Sequence, residues 1–161
     1  MEESRPATLD DLKLLIKALD EQGAPYLLIG GYALFAHGYS RTTIDIDILV
    51  PRSREAGMRV IRALTALPDK AARKIAPEWF DEGETIRVAD EIVVDVMFKA
   101  CGETFESLSP FAETVEIDGV PVRTVNLEGL LLTKKGIREK DAADRMVLEK
   151  AVEILRKQER K

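Results

Sequence analysis

Three aspartates stand where strand-forming sequence rarely places them. Asp45 and Asp47 interrupt the isoleucine run TIDIDILV (43–50), and Asp95 lies inside EIVVDVMF (91–98). Aspartate is depleted from strands. Residues i and i+2 of a strand share a face at roughly 6.5–7 Å. Asp45 and Asp47 therefore point the same way, joined by Thr43, while Ile44, Ile46 and Ile48 fill the other face. Two carboxylates so close raise each other's pKa, and a divalent cation between them removes that cost. A half-buried strand with a solvated acidic face would show the same short pattern. If the second run pairs beside the first, Asp95 makes a third donor. Three such carboxylates can hold two magnesium ions a few Å apart, as phosphoryl-transfer sites do. Asp90 and Glu91 flank a turn and are read as solvated.

Gly30-Gly31 follows the apolar run YLLI and opens a short helical stretch. Glycine lets backbone approach a ligand, and a helix start presents free N–H groups with partial positive charge. That suits a phosphate, although glycine pairs are also common at plain turns.

The remaining composition narrows the chemistry. The chain has 161 residues, 45% apolar and 33% charged, which fits one folded domain. A net charge of -5 argues against binding nucleic acid through bulk charge, without excluding a local basic patch. One cysteine, Cys101, excludes an internal disulfide, and one histidine, His37, excludes histidine-rich zinc chemistry. A metal here would have oxygen ligands, which favours Mg2+ or Mn2+. The single cysteine fits a reducing cytoplasm, the expected location; no apolar run is long enough to span a membrane, and the N-terminus is polar and acidic, unlike a signal peptide.

The elements that must position these residues follow from pattern. TLDDLKLLIKALDEQG (8–23) predicts a helix capped by Thr8, with Leu12, Leu15, Ile16 and Leu19 on one face. YLLIG (26–30) reads as a buried strand and GYALFAHG (31–38) as about two helical turns. SREAGMRVIRALTAL (53–67) predicts a second amphipathic helix burying Met58, Ile61, Leu64 and Leu67, and 68–84 reads as irregular. Two strands follow at 85–98 around a tight turn, then a hairpin at 114–125 turning at Asp118-Gly119. Asn126 caps a helix, and a long charged helix closes the chain. We expect a single domain over 1–161, with a core over 8–125 and C-terminal helices over 126–161. The mixed order of elements indicates an α/β or α+β fold on a mixed sheet.

The string G-G-Y-A-x(4)-G-x(2)-R-x-T-x-D-I-D, followed by Asp95 in a later apolar strand, resembles the DNA polymerase β nucleotidyltransferase superfamily. It looks most like the small bacterial and archaeal members that include AbiEii-type toxin proteins. The resemblance is dense over 26–50, recurs at 92–98 and extends loosely through the C-terminal helices. It implies the nucleotidyltransferase fold, a mixed β-sheet with helices packed on one side. It implies transfer of a nucleoside monophosphate from an NTP to an acceptor hydroxyl of RNA or tRNA, a protein or a small molecule, with release of pyrophosphate.

On this resemblance Asp45, Asp47 and Asp95 would be the catalytic metal ligands, for Mg2+ or Mn2+, with Asp95 also helping to activate the acceptor hydroxyl. Gly30 and Gly31 would bind phosphate oxygens through backbone N–H groups. Arg41 would contact a phosphate or order the loop, or else form a surface ion pair. Thr43 would order Asp45 or touch a phosphate, or serve only as a strand residue. Tyr32 either closes over the nucleotide or packs in the core. His37 is read as packed or capping. Lys134 is the candidate triphosphate contact, while Arg138, Lys140, Asp141 and Asp144 are read as i,i+4 pairing on a solvated helix face.

Many superfamily members have Gly-Ser where this chain has Gly-Gly, so one phosphate-binding hydroxyl is missing. Only 35 residues follow Asn126, so an acceptor site would be open, completed by a protein partner, or built across a homodimer. A second reading keeps the fold without catalysis, as a regulatory partner in a toxin–antitoxin-type system.

Overall fold

The computed structural model describes residues 4–39, 45–134 and 139–159. Helix α1 (Leu9–Glu21) starts at a capping box: the Asp11 N–H donates to Thr8 Oγ1, and the Thr8 N–H donates to Asp11 Oδ2 at 2.7 Å. Strand β1 (Leu27–Ile29) runs straight into α2 (Gly30–Ala36). Strand β2 (Ile46–Leu49) follows, then α3 (Arg54–Leu64), a 3-10 turn (Ala71–Lys74) and the single turn α4 (Trp79–Glu82). Strands β3 (Ile86–Ala89) and β4 (Val93–Met97) precede α5 (Phe105–Leu108). The hairpin β5 (Ala112–Ile117) and β6 (Val120–Val125) leads to α6 (Leu127–Leu132) and α7 (Glu139–Glu159).

The described residues form one six-stranded sheet in the order β3-β4-β2-β1-β6-β5. β2 pairs parallel with β4, and β1 parallel with β6; the other neighbours are antiparallel. The expected mixed α+β architecture is therefore observed. Ile46, Ile48, Val94 and Val96 are fully buried, in one core with Leu12, Leu15, Ile16 and Leu19 of α1 and Val60, Ala63 and Leu64 of α3. Asp118 and Gly119 both have positive φ, the hairpin turn their sequence predicts. No helix among the described residues is long and apolar enough to cross a membrane.

Three local expectations are corrected. Helix α3 buries Ala56, Gly57, Val60, Ala63 and Leu64, whereas Met58 is exposed. The reason is Phe80, whose ring packs so tightly on Gly57 that a Cβ there would collide with it. Phe80 in turn meets Phe98 edge-on at 5.4 Å, so the segment 68–84 carries a core anchor rather than a plain loop.

Asp90 is not solvated. It is 3% exposed, and its carboxylate accepts the backbone N–H groups of Asp69, Glu91 and Ala71, each at 2.8 Å. It ties the turn between β3 and β4 to Asp69 and to Ala71, the first residue of the 3-10 turn. Glu91 is held as well, by Arg5 Nε at 2.9 Å.

Removing a buried acceptor strands its donors, at about 1–3 kcal/mol for each unsatisfied group. Asp90→Ala should therefore lower the unfolding free energy by roughly 2–4 kcal/mol. Urea denaturation reads this directly, and a loss below about 0.5 kcal/mol would show that the three bonds carry little.

Candidate active site

The site is built from one row of residues across the sheet. Ile29 on β1 stands opposite Asp47 on β2, Asp47 opposite Asp95 on β4, and Asp95 opposite Arg87 on β3. In-register neighbours project to the same face, so Asp47, Asp95 and Arg87 share a face. Neighbouring strands lie only about 4.8 Å apart. Asp45 immediately precedes β2 and joins the group through Arg87. The Arg87 guanidinium donates from Nε to Asp95 Oδ1 at 3.0 Å and from Nη2 to Asp95 Oδ2 at 3.2 Å and Asp45 Oδ2 at 3.3 Å.

Arg87 makes no hydrogen bond to Asp47 among the described residues. The Asp47 carboxyl is pushed up to about 7, first by burial, then by the charges of Asp95 and Asp45. Lys134, in the turn after α6, opposes this by favouring the charged form, which places it near Asp47. The lysine expected to touch a triphosphate thus stands beside the carboxylate cluster.

Gly30 closes the site on the β1 side. Its φ is +72°, and a Cβ there would collide with Asp47 Oδ2 and lie 3.2 Å from Asp47 Cβ and Cγ. Only glycine leaves room for that carboxylate. Gly30 and Gly31 are buried at the start of α2. Among the described residues no side chain caps this helix, whose first turn begins beside Asp47.

Tyr32 departs from the nucleotide-binding expectation. It is buried, and its hydroxyl donates to the Ala7 carbonyl at 2.6 Å, so its ring belongs to the core. His37 is the C-cap of α2, and its Nε2 lies 2.8 Å from the Val125 carbonyl oxygen, a packed and capping role. Arg41, Thr43 and Arg138 lie outside the described residues, as do the side chains of Lys140, Asp141 and Asp144.

Arg87 is the residue that sequence reasoning missed. Its signal was present: TIRVAD alternates like EIVVDVMF, and one lone cation faces one lone anion across the hairpin.

The donor set fits a hard divalent cation, since three carboxylates offer oxygen only. As the side chains lie, no trio of Asp, Glu, His or Cys among the described residues is disposed around one metal position. A guanidinium sits between two of the three acids instead.

Together these elements make a nucleotidyltransferase-like fold. The chain is similar to the crystal structure, at 1.87 Å, of a "putative nucleotidyltransferase" from Thermotoga maritima. That likeness has a TM-score of 0.54 and 19% sequence identity, and it covers 93% of this chain and 91% of the other. At this identity the likeness establishes the shared fold. No family model and no curated protein matches the chain.

The raised Asp47 carboxyl has a consequence for stability. Its folded value, about 7, lies above the unfolded value of about 3.9, so folding favours the protonated form. In chelator, stability should fall as pH rises from about 4 to about 7 and then level off. Asp47→Asn should remove most of that fall and be more stable than wild type at pH 8, by on the order of 2–4 kcal/mol. Parallel pH profiles for the two proteins would contradict the assignment.

Proposed function

We propose that this chain is a metal-dependent nucleotidyltransferase, moving a nucleoside monophosphate from an NTP to an acceptor hydroxyl and releasing pyrophosphate. The observation that carries the reading is the register of β2 and β4, which sets Asp95 beside Asp47 on the face that Asp45 also reaches through Arg87. Asp45, Asp47 and Asp95 would hold Mg2+ or Mn2+, which when bound supplies neutralisation of phosphate charge.

The chain's own groups do the rest. Gly30 and the start of α2 would bring backbone N–H groups to phosphate oxygens. Lys134 adds a positive charge near Asp47 for the triphosphate. Asp95, in mid-strand and 13% exposed, would accept the acceptor hydroxyl's proton as that oxygen attacks the α-phosphorus and the bond to pyrophosphate breaks. The rigid sheet holds these groups before substrate arrives, which is where the catalytic advantage in phosphoryl transfer lies.

The test incubates the protein with each labelled NTP, magnesium or manganese, and pools of RNA, protein and small-molecule acceptors. Label transfer is expected from wild type and should vanish in Asp45→Ala and Asp47→Ala. Magnesium with the preferred NTP, at about a hundredfold over Kd, should raise the wild-type Tm by roughly 5–10 °C and leave Asp47→Ala unmoved. The absence of both transfer and metal-dependent NTP binding would overturn the reading and favour a non-catalytic partner role.

A further inference from the structure

We propose that Arg87 is a displaceable counter-ion that occupies the cation position at the carboxylate cluster and must leave before a divalent ion can enter. This rests on the metal-dependent reading above.

The geometry supports the exchange in three ways. First, the guanidinium bridges two of the three acids, with three N–H donors within 3.3 Å of their oxygens. A hard cation needs those same lone pairs. Arginine and cation are therefore exclusive at Asp45 and Asp95.

Second, the arginine is held loosely enough to leave. Its side chain is 64% exposed, against 13% for Asp95 and 26% for Asp45. Exposed ion pairs are individually weak, because water competes for both partners. A divalent ion brings twice the charge to the same oxygens.

Third, the displaced side chain has somewhere to go. Arg87 also lines an open recess of about 270 Å³ at the β3 edge, with Trp79, Glu82, Glu84, Thr85 and Ile86. Glu82 and Glu84 offer a second set of carboxylates, and the exposed Trp79 ring offers a face for a guanidinium. Arg87 thus has one anionic seat on the acids and another in the recess.

The exchange gives the site a defined resting state. Without a cation, Arg87 screens the repulsion between Asp45 and Asp95 and keeps the sheet face intact. With one, the acids exchange the guanidinium for the ion and their side chains turn toward it. The price is a lower affinity for the bare ion.

Calorimetric titration of the whole chain with Mn2+ alone, without nucleotide, tests this. Arg87→Gln should bind Mn2+ about tenfold more tightly than wild type, with Arg87→Lys between them. In chelator, Arg87→Gln should melt below wild type, and Mn2+ should restore the difference. Unchanged or weaker Mn2+ binding in both variants, with binding in wild type intact, would overturn the counter-ion role and leave the proposed function standing. No Mn2+ binding in wild type or either variant would overturn the counter-ion role, and the transfer assay with NTP would then decide the proposed function separately.

Discussion

The parallel pairing of β2 with β4, in the register that sets Asp47 against Asp95, is the constraint on which the rest of this molecule depends. Two carboxylates on adjacent strands of one face repel, and burial makes the repulsion stronger. A third, Asp45, adds to it. A sheet free to choose its register would slip to avoid this. It does not slip, because a shift of one residue would turn Ile46, Ile48, Val94 and Val96 out of the core. Each of these is worth roughly 1.5–3 kcal/mol when buried, and together they outweigh the repulsion.

Features around the row read as responses to that constraint. Gly30 gives up its Cβ so that the Asp47 carboxyl has space, and its positive φ turns the chain directly from β1 into α2. Arg87 supplies positive charge to Asp95 and Asp45 from the next strand. Lys134 supplies it to Asp47 from the C-terminal side. Asp90 works at a distance: by gathering three backbone N–H groups it fixes the β3–β4 turn, and so the register that puts Arg87 against Asp95. The core thus positions the charges, and the charges define what the face can bind.

Much of this was legible in the sequence, and the rest was not for physical reasons. Period-two alternation at 43–50 and 91–98 placed Asp47 and Asp95 on strand faces, whereas Asp45 lies in the bend just before β2, and Gly30-Gly31 marked the strand-to-helix turn. The pairing of strands some fifty residues apart is a tertiary choice, so only the fold could bring Asp95 to Asp47. Arg87 was overlooked because an arginine in an alternating strand looks like an ordinary solvated position until its partner strand is known. Asp90 was misread because residue type says nothing about donors converging from a distant loop. Met58 was misplaced because hydrophobic periodicity ignores Gly57, whose missing side chain is what admits Phe80. Tyr32 followed the glycines as a ligand-closing residue would, but its hydroxyl had a core partner in Ala7.

The cation site proposed at Asp45, Asp47 and Asp95 can be looked for in a crystal. Anomalous diffraction from crystals equilibrated with saturating Mn2+ tests it most directly. A manganese peak is expected among the three carboxylates, with the Arg87 guanidinium withdrawn from Asp45 and Asp95. An empty cluster under those conditions, with Arg87 still bridging the two acids, would contradict it.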